Sequence, residues 1–282
     1  MSISLENLRR DIRTRIESDQ LVSTAWILVP LLEVVALIIF ILVIILLLVQ
    51  FVIAVQLQNP AGLPRAPELA GVVNTYRSVA FILGLVFAYP VYKLIKRRNT
   101  HFARQVLLYE DLTSMAKELG AKKGVEVSLS LNNLDRAARE AKSEETEKNA
   151  FLWTILTLAT TAAALDAGAG AGLGLSFLGT LTTFYVFYFL MRDLYNHERR
   201  EDMFFDELSR TLMALGVMPG LPRRMSPTPS RSFALYVLLT IVTVRFFWVY
   251  WVYTLINDPN NHFRQQAFIE DTALAQITPL MN

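Results

Sequence analysis

VVALIIFILVIILLLVQFVIAVQL, residues 34 to 57, carries no charged side chain, and a helix of about 20 apolar residues is enough to cross roughly 30 Å of hydrocarbon. Pro30 and Glu33 stand just before it, so Trp26 to Leu32 reads as a kinked interfacial lead-in. Further apolar runs cover Val79 to Ile95, Phe151 to Leu165, Leu173 to Met191 and Phe233 to Ile256. The 282 residues are 53% hydrophobic and 18% charged, against about 45–50% and about 25% in ordinary soluble domains. The expected fold class is all-α: a polytopic helical membrane protein with about four to five membrane segments.

A net charge of +2 is nearly balanced, so orientation rests on where Lys and Arg fall. They crowd the N-terminal segment, the stretch after the second run and the stretch after the fourth, while Arg65 and Arg77 alone lie between the first two runs. The positive-inside rule then places the N-terminus in the cytoplasm of a multi-pass cell-membrane protein. The glycine-rich stretch from Asp166 to Gly174 is expected to form the outer turn between the third and fourth runs. The first 20 residues are polar, with Leu5, Leu8, Ile12 and Ile16 at helical spacing. They read as a retained amphipathic helix rather than a signal peptide. With no cysteine, disulfides, thiolate metal sites and cysteine nucleophiles are excluded.

Self-comparison reveals an internal repeat. Ser2-x-Ser4-Leu5-x-Asn7-Leu8-x-Arg10 recurs as Ser128-x-Ser130-Leu131-x-Asn133-Leu134-x-Arg136, an offset of 128 − 2 = 126. Tyr89-x-x-Tyr92-x-Leu94 recurs as Tyr185-x-x-Tyr188-x-Leu190 and as Tyr250-x-x-Tyr253-x-Leu255. Each leucine is followed by a histidine seven residues on, His101, His197 and His262, and these are the only three histidines of the chain. Beyond them lie an arginine and, six residues later, paired acids: Arg104 with Glu110 and Asp111, Arg200 with Asp206 and Glu207, Arg264 with Glu270 and Asp271. Residues 1–120 are therefore a first unit with spans near 34–57 and 79–95, and 121–216 a second with spans near 151–165 and 173–191. Residues 217–232 are a linker, and 233–282 a partial third copy. Each motif is expected to be a membrane helix ending in an interfacial tyrosine belt, a break begun by asparagine, then an amphipathic helix at the membrane surface. Counting five spans puts the third motif outside. Its shared spacing puts it inside with its siblings, by way of a re-entrant or interfacial hairpin.

The stretch Phe233 to Asp271, with Leu238-Leu239-Thr240-Ile241-Val242-Thr243, Tyr250-Trp251-Val252-Tyr253-Thr254-Leu255 and His262-Phe263-Arg264, resembles an uncharacterised prokaryotic membrane family known as domain of unknown function 4234. Arg245 stands where that family has a glycine. The resemblance implies a membrane protein and supplies no activity, cofactor or site residue.

Candidate chemistry is sparse. Three histidines near carboxylates invite a metal reading, but no copy holds His-x-x-x-His or Glu-x-x-His, so ligands would have to converge from three separate motifs. No metal, cofactor or catalytic residue is assigned on that ground. Glu33, Asp166 and Arg245 are charges in or near apolar runs and are candidates for an intramembrane role. The basic segments are interspersed with acids, which suits anionic lipid headgroups at least as well as nucleic acid, and no nucleic-acid partner is expected. Two functions stay open. The favoured one is a non-enzymatic scaffold, accessory subunit or assembly protein presenting three cytoplasmic motif helices, with lipids and either further copies or other membrane subunits as partners. The other is a small transporter or channel using the intramembrane charges. If the platform forms, Arg104, Arg200 and Arg264 should each bond carboxylates of another motif or chain.

Overall fold

A computed structural model describes residues 3–58, 62–166, 169–217 and 220–281, and within these the side chains of all but 66 and 160–173. The described residues form helices and connecting segments with no strand: α1 (Ile3–Arg13), α2 (Arg15–Ser18), a 3-10 turn (Thr24–Ile27), α3 (Leu28–Gln56), α4 (Ala66–Lys123), α5 (Ser128–Glu144), α6 (Ala150–Asp166), α7 (Ala169–Ala214), α8 (Phe233–Val242) and α9 (Phe246–Met281). Three are long and apolar enough to cross a membrane, beginning at Thr24, Pro67 and Gly174, while α6 and α8 are shorter apolar helices. Residues such as Leu46, Val55, Ile82 and Phe177 expose about half or more of their surface. That much contiguous apolar surface needs lipid to cover it.

Two sequence expectations are corrected. Pro30 and Glu33 do not lie outside the first span, because α3 begins at Leu28 and carries Pro30 in its first turn, where a missing N–H costs nothing. Nor does asparagine break the motif: α4, α7 and α9 each run unbroken from the apolar half into the polar half. Asn99 and Asn260 instead clamp backbone of neighbouring segments. Asn99 bonds the N–H and carbonyl of Lys148, and Asn260 those of Val22. The outer turn expected around Asp166, with the Asp166 side chain itself, lies largely outside the described residues.

The three apolar hairpins are unequal. α8 has 10 residues, about 15 Å at 1.5 Å per residue, half of a hydrocarbon core. It turns back into α9 through Val244 (φ 49°) and Arg245 (φ 69°), a left-handed geometry that explains why a glycine would suit position 245. Arg245 reaches Glu33 on α3 at 3.4 Å, so these two charges beside the apolar runs are partners.

Beyond the hairpins, α4, α7 and α9 run side by side in the same direction. Counted from each histidine, the heptad positions −7, 0, +4, +7 and +11 are all buried: Leu94, Leu190 and Leu255, the histidines, Gln105, Glu201 and Gln266, then Leu108, Phe204 and Ile269, and last Leu112, Leu208 and Ala273. This is the seam of a parallel three-helix bundle. α1 packs its Leu5, Leu8 and Ile12 stripe against this bundle, and α5 its Leu134, Ala138 and Ala141 stripe. Among the described residues there is no third flanking helix. Residues 220–232 run there instead, pinned by Leu221 N–H on Ser209, Gly220 carbonyl on Gln276, and Ser226 on Gln265.

Candidate metal centre

The heptad register puts one histidine of each long helix on the bundle axis. His101 Nε2 lies 3.1 Å from His197 Nε2 and 3.2 Å from His262 Nε2, and the three side chains are at most 1% exposed. The third motif therefore lies beside the other two, and the convergence from separate motifs that spacing alone does not reveal is supplied by the fold.

Each outer nitrogen meets a carboxylate. His101 Nδ1 is 2.8 Å from Asp19, His197 Nδ1 is 2.8 Å from Glu145, and His262 Nδ1 is 3.0 Å from Glu198. Each carboxylate has an arginine behind it: Arg104 on Asp19 at 2.8 Å, Arg200 on Glu145 at 3.1 Å, Arg224 near Glu198 at 3.9 Å. Arg104 also forks onto Glu270 of the third motif. Asp19 and Glu145 lie 145 − 19 = 126 residues apart, the offset of the N-terminal motif. The third copy lacks that preceding segment, so α7 and the 220–232 strap provide Glu198 and Arg224.

Burial and the neighbouring charges set the balance of protonation around His101 and His262. Burial raises the Asp19 carboxyl, but His101 and Arg104 outweigh it and hold the group well below its usual range. Burial likewise raises Glu145, and His197 and Arg200 bring it below its ordinary value. Burial lowers His101 to about 4 against the pull of Asp19, and pushes His262 well below 6.5. A neutral imidazole beside an ionised carboxylate carries its proton on Nδ1 and donates it there. In that tautomer His101 and His262 turn bare Nε2 atoms toward each other across 3.2 Å, and His197 Nε2 stands 3.1 Å from His101 Nε2.

Bare lone pairs at that distance repel, and a cation in their midst relieves them. A metal 2.0–2.1 Å from three nitrogens in tetrahedral array spaces them about 3.3–3.4 Å apart, within a few tenths of the observed values. Carboxylate-histidine-metal relays of this form set the tautomer and aim of metal-binding imidazoles. Beneath the histidines, one turn on, lie Gln105, Glu201 and Gln266, all fully buried.

The remaining motif residues sort by depth. The tyrosines Tyr89, Tyr185, Tyr250 and Tyr253 are more than a third exposed, and Tyr92 and Tyr188 partly so. Glu110 pairs with Lys142, Asp111 with Arg10, Asp206 with Arg223, Glu207 with Arg210, and Asp271 with Arg15. Of the three motif arginines, only Arg104 reaches a carboxylate of another motif among the described residues; Arg200 departs from expectation by bonding Glu145 of its own unit, and Arg264 departs further. It bonds the Asn261 side chain and stands two residues after its histidine, not three like Arg104 and Arg200, so the helix carries it away from the carboxylate. No protein-family model, curated protein or solved structure matches the chain.

Proposed function

We propose that the chain is a membrane-anchored metal-binding scaffold, in which one transition-metal ion on His101, His197 and His262 ties together the roots of three cytoplasmic helices. The observation that carries the reading is the trio of converging, buried Nε2 atoms, each imidazole backed by a carboxylate and an arginine. Imidazole nitrogens suit zinc, iron, nickel and copper, and the choice among them follows supply and geometry. Apolar tiers above and below the polar ones, Leu94, Leu190 and Leu255 on one side and Leu108, Phe204 and Ile269 on the other, close the site off. Three histidines leave a coordination position open, as catalytic sites do, but the apolar tiers on both sides keep a substrate from it, which supports a holding role.

In the cell membrane, α3 with α4 and α6 with α7 form two full hairpins, and α8 with the start of α9 a re-entrant one. The N-terminus and the platform are cytoplasmic. Tandem duplication is supported by residues that do the same work 126 apart: Asp19 and Glu145 on histidines, Val22 and Lys148 in asparagine clamps. The platform is the surface for other membrane subunits or further copies of the chain. A second reading, a small transporter, draws on a cavity of about 860 Å³ over the short hairpin, lined by both full hairpins and by Glu33, Arg77 and Arg245. Flux of a labelled cation in proteoliposomes would favour it.

Elemental analysis with thermal melting tests the scaffold reading. Purified protein is expected to hold about one metal per chain, with a midpoint that falls on chelation and recovers on reloading. His197→Leu should lose both the metal and the response. Substoichiometric metal together with a melt indifferent to chelator and to added zinc, iron, nickel and copper ends the proposal.

A further inference from the structure

Gln105, Glu201 and Gln266 each stand four residues after a histidine, one helical turn toward the platform. They form a polar tier enclosed between the histidines and the layer of Leu108, Phe204 and Ile269. Buried side-chain oxygens are nearly always hydrogen-bonded, yet Gln105 Oε1, Glu201 Oε1 and Gln266 Oε1 are all buried and accept nothing from the described residues. Three equivalent helices thus leave three orphan acceptors at the same register, one turn from the three converging Nε2 atoms.

The amide orientations are not arbitrary. Glu270 accepts from Gln266 Nε2 at 2.8 Å and from Gln105 Nε2 at 3.4 Å while Arg104 grips it on both oxygens. A carboxylate held by arginine accepts only, so the two amides must turn their nitrogens to it, and their oxygens are what remain. Glu201 is fixed in the same way. Its Oε2 takes Arg224 Nη2 at 2.5 Å and lies 3.5 Å from His262 Nε2, leaving Oε1 unused.

We infer that the metal bound by the three histidines keeps water on its platform-facing side, and that Gln105, Glu201 and Gln266 hold this water by accepting its hydrogens. The inference rests on the three-histidine reading and adds to it. Metal-bound water is a strong donor and needs acceptors, and this tier offers three unused buried oxygens. The site is then a mixed nitrogen and oxygen one, with three imidazoles and a sealed aquo face. That set fits a first-row divalent ion and disfavours copper(I), which takes soft sulfur ligands. A carboxylate among the acceptors also offsets one unit of the ion's charge in a buried place.

Copper(II)-loaded protein, in detergent and in water enriched in oxygen-17, separates the two claims by pulsed electron paramagnetic resonance. Couplings from three imidazole nitrogens report the histidine site. An oxygen-17 coupling reports the water. The wild type is expected to show both. The triple variant Gln105→Leu/Glu201→Leu/Gln266→Leu, which extends the leucine layers and so keeps an apolar core, should retain the nitrogens, lose the oxygen-17 signal and bind zinc about 10- to 100-fold more weakly. Gln105→Leu alone, with Glu201 and Gln266 intact, provides a milder variant should the triple one fail to fold, and should reduce the oxygen-17 coupling. Nitrogen couplings without oxygen-17 in the wild type, or a signal untouched by the variants, overturn the aquo face and leave the scaffold standing. Absence of the nitrogens overturns both.

Discussion

Replacing Glu145 by glutamine separates a metal relay from a histidine that is merely well hydrogen-bonded. Glu145 Oε1 faces His197 Nδ1 at 2.8 Å and Arg200 Nε at 3.1 Å, with the carboxylate side chain fully buried. A glutamine oxygen can occupy the same place, so both bonds survive in form while the charge is lost and an NH2 group takes the buried, unpartnered position of Oε2. Bonds to a charged acceptor contribute about 1.5–3 kcal/mol and neutral ones about 1. Because Arg200 keeps some solvent, the metal-free protein should lose about 1–3 kcal/mol over the two bonds. The metal-bound protein should lose more, since weakening such a relay lowers metal affinity about 10- to 100-fold, or about 1.4–2.7 kcal/mol. The assay is a zinc titration against a competing chelator, paired with melting curves with and without metal. The reasoning is refuted if Glu145→Gln lowers both melting curves equally and leaves zinc affinity within about twofold of the wild type, for Glu145 would then be an ordinary core acceptor.

Arg104→Gln should cost about 3–5 kcal/mol, because it leaves Asp19 buried without its cation and Glu270 with Arg15 alone at 3.4 Å, whereas Arg264→Gln should stay within about 0.5 kcal/mol; equal losses in denaturant melts would contradict the register argument. Leu208→Ala, at a fully buried seam position, should destabilise by about 2–5 kcal/mol, while Leu46→Ala, 67% exposed on α3, should change the platform's unfolding by less than about 0.5 kcal/mol; the reverse order would mean that the platform is not the folded core. Burial and the neighbouring Asp11 raise Asp111 to about 6, with Arg10 opposing. A raised folded value means that the native state holds the proton more tightly, so stability falls as pH rises from about 4 through 6 and the penalty is complete above that. Asp111 is partly solvated, so Asp111→Asn should gain no more than about 1 kcal/mol at pH 7.5 and nothing at pH 4, and melts showing the opposite pH trend would refute the carboxylate pairing.

Much of the architecture is legible in the sequence, and the limits have physical causes. The apolar runs and the seven-residue step from leucine to histidine are visible because each lies within one helix. The seam itself is also written there: Leu94, His101, Gln105, Leu108, Leu112 and Leu119 follow heptad spacing in one continuous frame, and carrying the platform stripe upward through the histidine would have placed all three on one axis. Scanning for His-x-x-x-His misses such a centre, because each helix donates one ligand only. The second layer is harder to see. Asp19 is 82 residues from His101, and Glu145 is 52 from His197, and only their shared 126-residue offset links them. Arg224 could not be foreseen from repeats at all, since it enters on an extended strap that fills the place of a missing helix. The Glu33 and Arg245 pairing, 212 residues apart, depends on how far the short hairpin reaches, which apolar composition does not encode.

The most direct test of the central claim is X-ray absorption fine structure at the metal edge of the protein purified in detergent with its native metal. The account predicts about one metal per chain and a first shell containing three imidazole nitrogens near 2.0–2.1 Å, with the outer-ring scattering that marks histidine, all of it lost in His197→Leu. A first shell of oxygen alone, unchanged by that substitution, would contradict it and leave the three histidines as a hydrogen-bonded core.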